Sequence, residues 1–328
     1  MSTEVRWISA KDIDRLGITM TEVMDAVETG FASLGRGEGE MPAKIGIHPR
    51  ENCFIHAMPC RLGGDIDRAG VKCVSGYPPN PARGLPYITG IMLLNDPDTG
   101  LPLAVMDAAW ITAWRTGAAS GVYARHFGDP ETTSVTIVGA GVQGRVNLLA
   151  MKEVFPKLND VRCHDIFEAA TQRFIDDMAP KVPGAVFSAH ADLETAVRNT
   201  DVLITCTPIV ESPVRAVRRE WLKDDCLVIA VDYDACVGED VFRDAHFTCD
   251  NRNQYIWTRN QGTYFQNGYP GPEAIDADMC EICAEQGVAV REGLRGAVLM
   301  GIATHDVMTA ALVFERAAEA GIGTLVEL

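Results

Sequence analysis

The chain has 328 residues, 47% hydrophobic and 23% charged, with a formal net charge of −16. That length exceeds the usual reach of a single hydrophobic core, so two domains are expected. The acidic balance opposes non-specific attachment to nucleic acid or to an anionic membrane, yet allows a small anionic substrate, which feels only local charge.

The opening MSTEVRWISAKDIDRL lacks a basic stretch followed by an apolar one, and no later apolar run approaches membrane-spanning length, which predicts a soluble cytoplasmic protein. Val23, Met24, Val27, Phe31 and Leu34 recur at helical spacing behind Thr21, predicting an amphipathic helix with that threonine as its cap. A β-rich stretch follows. CFIHAMP, AGVKCVSG and YITGIMLLND are short apolar runs bounded by turn residues, the last closing on DPDTG. Residues 108–124 favour a helix, in which Gly117 and Gly121 signal that something packs very close.

A GDPE turn at 128–131 marks the expected domain boundary, because the rhythm changes there. SVTIVGAG, DVRCHDI, AVFSA, DVLITCT and CLVIAVD read as buried strands, alternating with the helical VNLLAMKEVF, EAATQRFIDDM and LETAVRN. This is the pattern of an α/β domain with a doubly wound parallel sheet. Residues 251–272 are aromatic and without periodicity, which predicts a long loop acting as a lid or interface element. Cys280 and Cys283 have CxxC spacing, but no second Cys or His pair lies nearby, so no metal site is expected and the ten cysteines are read as reduced thiols. A last helix spans roughly 302–320, with GTLVE as a possible short strand after it.

VTIVGAGVQGRVNLLA places Gly139, Gly141 and Gly144 in a GxGxxG array between a strand and a helix. There the bare backbone can approach a pyrophosphate at a helix N-terminus. Val142 and Gln143 lie within that turn, and Thr207 closes DVLITCT on the same strand-end side. Asp165 ends the next strand, suited to accept hydrogen bonds from the two ribose hydroxyls. A 2′-phosphate there would meet a like charge, so the cofactor is expected to be NAD rather than NADP.

A dinucleotide domain beside a second domain implies hydride transfer, with the second domain holding the substrate. Arg115 is the only charge between Asp107 and Arg125. A buried guanidinium needs an anion: either a substrate carboxylate, which fits its fork, or an internal acid such as Asp107 or Asp96. Lys72 is similarly alone in an apolar strand, where burial beside Arg115 would lower its pKa toward neutrality. Lys44 in MPAKIGIHP is a third such cation.

Together, MPAK, AMP, VKCVSGYPPNPARGLP, TGLPLAVMDAAWITAWRTGAAS, VGAGVQG, VDYDA and GIATHDVMTAALVFERAAEAGIGT span nearly the whole chain. In this order they resemble the ornithine cyclodeaminase and mu-crystallin family, which includes small amino-acid dehydrogenases and ketimine reductases. The resemblance implies that Lys72 and Arg115 are the carboxylate-binding and proton-handling pair. It likewise puts Lys44 in a further substrate position and makes Asp234 an acid facing the substrate nitrogen. It also returns the last helix to the first domain, giving a discontinuous substrate and dimerisation domain (1–127 with 304–328), an NAD-binding Rossmann domain (128–303) and a homodimer.

There are departures from the family pattern. His56 replaces the acid that grips the distal ammonium in ornithine cyclodeaminases, Asn147 stands where many relatives have His, and LMGIATHD lacks the usual Ser-Thr before its glycine. The expected activity is NADH-dependent reduction of a small 2-imino acid: iminosuccinate, iminopropionate or pyrroline-2-carboxylate. His56, His48 and Arg61 add cationic character that leans toward a dicarboxylate, although His56 equally suits a satisfied core position. The alternatives are cyclodeamination of ornithine with recycled NAD, and a non-catalytic binding protein like mu-crystallin.

Overall fold

The computed structural model of the chain describes residues 4–328, and no helix among them is long and apolar enough to cross a membrane. The chain divides into two compact units. One runs through Arg115 and adds Ile302–Leu328; the other is Thr116–Gly301.

The first unit is built on an eight-stranded sheet. Its antiparallel centre is Phe54–Leu62, Arg68–Gly76 and Ile88–Asn95, the three apolar runs expected as strands. Pro102–Asp107 extends it, followed by Glu4–Ile8 and the GTLVE tail, which forms Thr324–Glu327. Side chains alternate across a strand, so Met58, Cys60, Lys72, Val74, Met92, Leu94 and Met106 share one buried face. Helices Met20–Gly35 and Ala303–Glu319 belong to the same unit, and they approach closely at Gly30, where a Cβ would stand 2.7 Å from Met308 Cγ. The N-terminal cap is Thr19 rather than Thr21. Its side chain accepts from the Glu22 N–H while the Glu22 carboxylate returns a bond to the Thr19 backbone.

The second unit carries the other eight-stranded sheet, in which every pairing is parallel. Its order runs Val186–Ala189, Asp160–His164, Ser134–Val138, Val202–Thr205, Leu227–Ala230, then Arg295–Val298, His246–Cys249 and Ala277–Asp278. The first three strands in the chain are laid down to one side and the next two to the other. The order therefore reverses between Ser134–Val138 and Val202–Thr205, the crevice where such sheets bind dinucleotides.

Two expectations change. Helix Ala108–Phe127 is continuous, and the division falls inside it rather than at the GDPE turn. Within the second unit a Cβ on Gly117 would stand 2.6 Å from the Val146 carbonyl oxygen, so the later half of that helix lies directly on helix Val142–Val154. Residues 251–272 are not a structureless lid. They contain helix Arg252–Asn260, and Tyr255, Phe265 and Tyr269 enter the core of the unit. Aromatic stacking replaces the periodicity that a sequence pattern detects, with Tyr255 and Phe265 4.6 Å apart.

Candidate functional site

In the first unit, Lys72 sits mid-strand with Met58 and Met92 opposite it on the two neighbouring strands. It is fully buried and its Nζ donates to Asp306 Oδ1 at 2.6 Å. Arg115 Nε lies 3.0 Å from that same oxygen. Asp306 stands in the first turn of helix Ala303–Glu319. It pairs with both cations, and nothing in the local sequence pattern marks it.

Asp107 and Asp96, the acids suggested as partners for Arg115, are engaged elsewhere. Asp107 accepts the Trp110 N–H at the start of the arginine helix, and Asp96 accepts the Asp98 and Thr99 N–H groups in its own turn. The Arg115 side chain retains only 7% of its exposure, and its terminal nitrogens have no acceptor among the described residues.

One carboxylate thus serves two buried cations. Burial, and then the Arg115 charge, bring Lys72 down to about 7, with Asp306 pulling the other way. Lys44, also buried, adds a further positive influence on Lys72 and on His56. His56 lies on the Lys72 face of the sheet and stacks on Phe54 at 4.3 Å. Burial, followed by Lys44, His48 and Lys72, takes its pKa down to about 3, so at neutral pH it is an uncharged hydrogen-bonding group. Arg61 points to the opposite sheet face and His48 is exposed.

In the second unit, each glycine of the GxGxxG turn answers a separate demand. Gly139 has φ +104°, and a Cβ there would stand 2.6 Å from the Cys206 carbonyl oxygen. A Cβ on Gly144 would meet the Gly139 carbonyl oxygen at 2.4 Å, so its bareness seats the helix on the strand. Gly141 alone faces open space, with nothing within 4 Å. It is the N-cap of helix Val142–Val154 and offers no side-chain cap, leaving first-turn N–H groups for an anion. This cradle fits a dinucleotide pyrophosphate. Exposed Val142 and half-buried Gln143 stand at that helix start.

Asp165 braces the turn: Oδ2 accepts the Ala140 N–H at 2.8 Å and Oδ1 the Phe167 N–H at 2.9 Å. Arg145 does the same from the helix, donating to the Gly141 carbonyl at 3.1 Å and to Asp177. Thr207 donates through both its N–H and its hydroxyl to Asp232 Oδ2, while the Thr205 hydroxyl donates to Oδ1. Asp232 is buried, and that burial raises its pKa against those bonds. Neither Arg145 nor Asp232 was singled out in the sequence; an acid directly after a core strand was the available signal for the second.

Asp234 Oδ2 accepts from Arg215 at 2.5 Å and from the Phe265 N–H at 3.0 Å, and it is fully buried. The adjacent guanidinium holds this carboxylate in place and compensates its burial. Cys280 is likewise internal, with Sγ 3.5 Å from the Asp250 carbonyl oxygen, and Cys283 Sγ lies 3.9 Å from His126 Nε2.

The ornithine cyclodeaminase/mu-crystallin family model matches residues 7–321. The chain belongs to this family. It is 32% identical to the nodulation efficiency protein NfeD of Rhizobium meliloti, over 99% of both chains. Among solved structures it resembles the Thermococcus litoralis Δ1-pyrroline-2-carboxylate reductase in complex with NADH and L-proline. There the TM-score is 0.87 at 31% identity, covering 98% of this chain and 100% of that one. An archaeal alanine dehydrogenase dimer with bound NAD gives a TM-score of 0.86 at 30% identity, covering 98% and 99%. The Lys72, Arg115 and Asp306 cluster and the glycine cradle are thus set in a family whose relatives include reductases and dehydrogenases of imino and amino acids.

Proposed function

We propose that the protein is an NADH-dependent reductase of a small 2-imino acid, equivalent in reverse to an amino-acid dehydrogenase. The observation that carries this reading is the buried cluster in which Lys72 and Arg115 share a single Asp306 oxygen. A surplus cation in a low-dielectric interior attracts an anion strongly, and the open terminal nitrogens of Arg115 match a carboxylate in two parallel bonds. The neutral state of His56 favours a monocarboxylate such as iminopropionate or pyrroline-2-carboxylate over iminosuccinate. The absence of an acid at that position leaves the distal ammonium of ornithine without an anchor, which disfavours cyclodeamination.

Gly139, Gly141, Gly144, Gln143, Asp165 and Thr207 of the second unit are the residues proposed to hold NAD. When bound, that cofactor supplies the hydride. Arg115 fixes the carboxylate, with Lys44 assisting, and so fixes which face of the planar imine carbon is presented. Lys72, poised near neutrality, passes a proton to the substrate nitrogen in reduction and accepts one from the amine in the reverse direction. Asp306 holds both cations in place.

We also infer a homodimer. Ile45, Ile47, Ile91 and Trp7 of the first unit are about half exposed or more, leaving an apolar stretch of sheet for a second copy to cover. The resemblance to a dehydrogenase that is itself a dimer supports this partner.

The test is a screen of 2-oxo acids with ammonium or methylamine, and of cyclic imino acids, reading loss of NADH absorbance. Turnover of carboxylate-bearing imines supports the proposal. Ornithine converted to proline and ammonium with no net NADH change, and no imine reduced, overturns it in favour of the cyclase.

A further inference from the structure

Lys72 has no exposure to solvent, yet a group that hands over a proton in every turnover must regain one. Beside it, helix Ala303–Glu319 carries polar atoms that the fold does not otherwise explain. His305 is fully buried and both of its ring nitrogens lack a protein partner. So do Asp306 Oδ2 and Thr309 Oγ1. Residues 305, 306 and 309 fall on one side of the helix through i,i+3 and i,i+4 spacing. Buried polar groups without protein partners are rare and call for a specific explanation, and ordered water is the usual one where several converge.

We propose that His305, with Asp306 and Thr309, conducts protons between solvent and Lys72 through water held by these otherwise unpartnered atoms. The proposal rests on the reductase reading for its purpose. In each reductive turnover the Lys72 ammonium breaks one N–H bond and the substrate nitrogen forms one. The electron pair would come as hydride from the cofactor held by the second unit, and Lys72 is left as a neutral amine. A solvent proton then binds one imidazole nitrogen while the proton on the other nitrogen leaves toward Asp306, whose Oδ1 already accepts from Lys72 Nζ at 2.6 Å. One proton enters, one reaches Lys72, and the imidazole finishes in its other tautomer, reset by exchange with water.

The ring is set for that role by its surroundings. Phe31 meets it edge-on at 4.4 Å and holds its plane. The charged groups around it are Lys72 from the Arg68–Gly76 strand, Arg115 from the arginine helix and Asp306 from its own helix, with Lys44 acting through Lys72. The Cys60 thiol meets Thr304 at that helix start and is raised to about 11 by burial, so it stays protonated. Burial and the two cations hold His305 well below its ordinary range, keeping it in the neutral form that tautomer exchange requires.

The test has two readouts. In the wild-type protein with 15N-labelled imidazoles, the His305 ring proton, assigned through its contact with Phe31, is expected to exchange with water within seconds despite its burial. A ring proton protected for hours marks a dry structural histidine and overturns the proposal. In turnover, His305→Gln is expected to lower kcat about tenfold and enlarge the solvent deuterium isotope effect, with KM for NADH and imino acid unchanged. An unchanged kcat and isotope effect overturns it as well. Should no imino acid be turned over, rapid exchange of the ring proton still supports the hydrated path while the reductase reading fails.

Discussion

Lys72 is the residue on which charge, burial and chemistry meet. Its pKa near 7 lies below the ordinary lysine value of 10.5, so between those two pH values the folded state binds fewer protons than the unfolded one. Stability from this residue therefore rises with pH across that window, and below about 7 the folded state carries the cost of a buried ammonium. In the reductive direction, where Lys72 gives a proton, kcat/KM is expected to fall as pH rises through about 7; in the oxidative direction it is expected to rise. Lys72→Met should remove both limbs and flatten the pH dependence of the urea midpoint, and a wild-type profile in that variant would exclude Lys72 as the group titrating. Lys72 and Arg115 were legible because a lone cation inside an apolar run is unusual wherever it falls. Asp306 was not. An acid in the first turn of a helix is ordinary, since it complements the helix dipole, and nothing in the local pattern points it at two cations from distant strands and helices.

At the scale of elements, the alternation of apolar strands with amphipathic helices predicted the parallel sheet, and turn-bounded runs predicted the antiparallel one. Gly117 shows how a single missing side chain locks two helices: a Cβ there would meet backbone of the neighbouring helix, which cannot swing aside. Gly117→Ala is expected to cost about 1–3 kcal/mol in equilibrium unfolding, the range for overpacking a tight contact. A neutral outcome would mean the helices separate easily. The Asp234–Arg215 pair anchors another element-level feature. Arg215, Tyr233, Phe265 and Asn267 all take left-handed backbone with φ between 50° and 61°, a strained choice for non-glycine residues that the surrounding bonds must enforce. Arg215→Met leaves the Asp234 carboxylate buried without its cation and is expected to destabilise the protein by about 3–5 kcal/mol. A variant that unfolds like wild type would show that the pair contributes no stability. The segment 251–272 escaped the sequence pattern for a related reason: it is held by aromatic stacking and Arg259 bonds to the Phe265, Tyr269 and Pro270 carbonyls, which have no period.

For the whole molecule, the proposed function assigns one half of the reaction to each of the two units, in a form that can be tested separately. The carboxylate of Asp165 beside the glycine cradle should make NADH bind more tightly than NADPH by about tenfold or more, measured by titration of cofactor fluorescence. The reverse order would remove Asp165 from the ribose site. A turn is visible in sequence, whereas a division of compact units inside a continuous helix is decided by which neighbours each half packs against. The central claim is that Arg115 and Lys72 form a carboxylate clamp for an imine reduced by NADH. Its most direct test compares kcat/KM for pyrroline-2-carboxylate with that for pyrroline, the same ring without the carboxylate, in wild type and Arg115→Met. The account predicts a wild-type preference of roughly 10³ for the acid that shrinks to about tenfold or less in the variant, through loss of activity toward the acid alone. An equal loss for both substrates, with the preference intact, would contradict it.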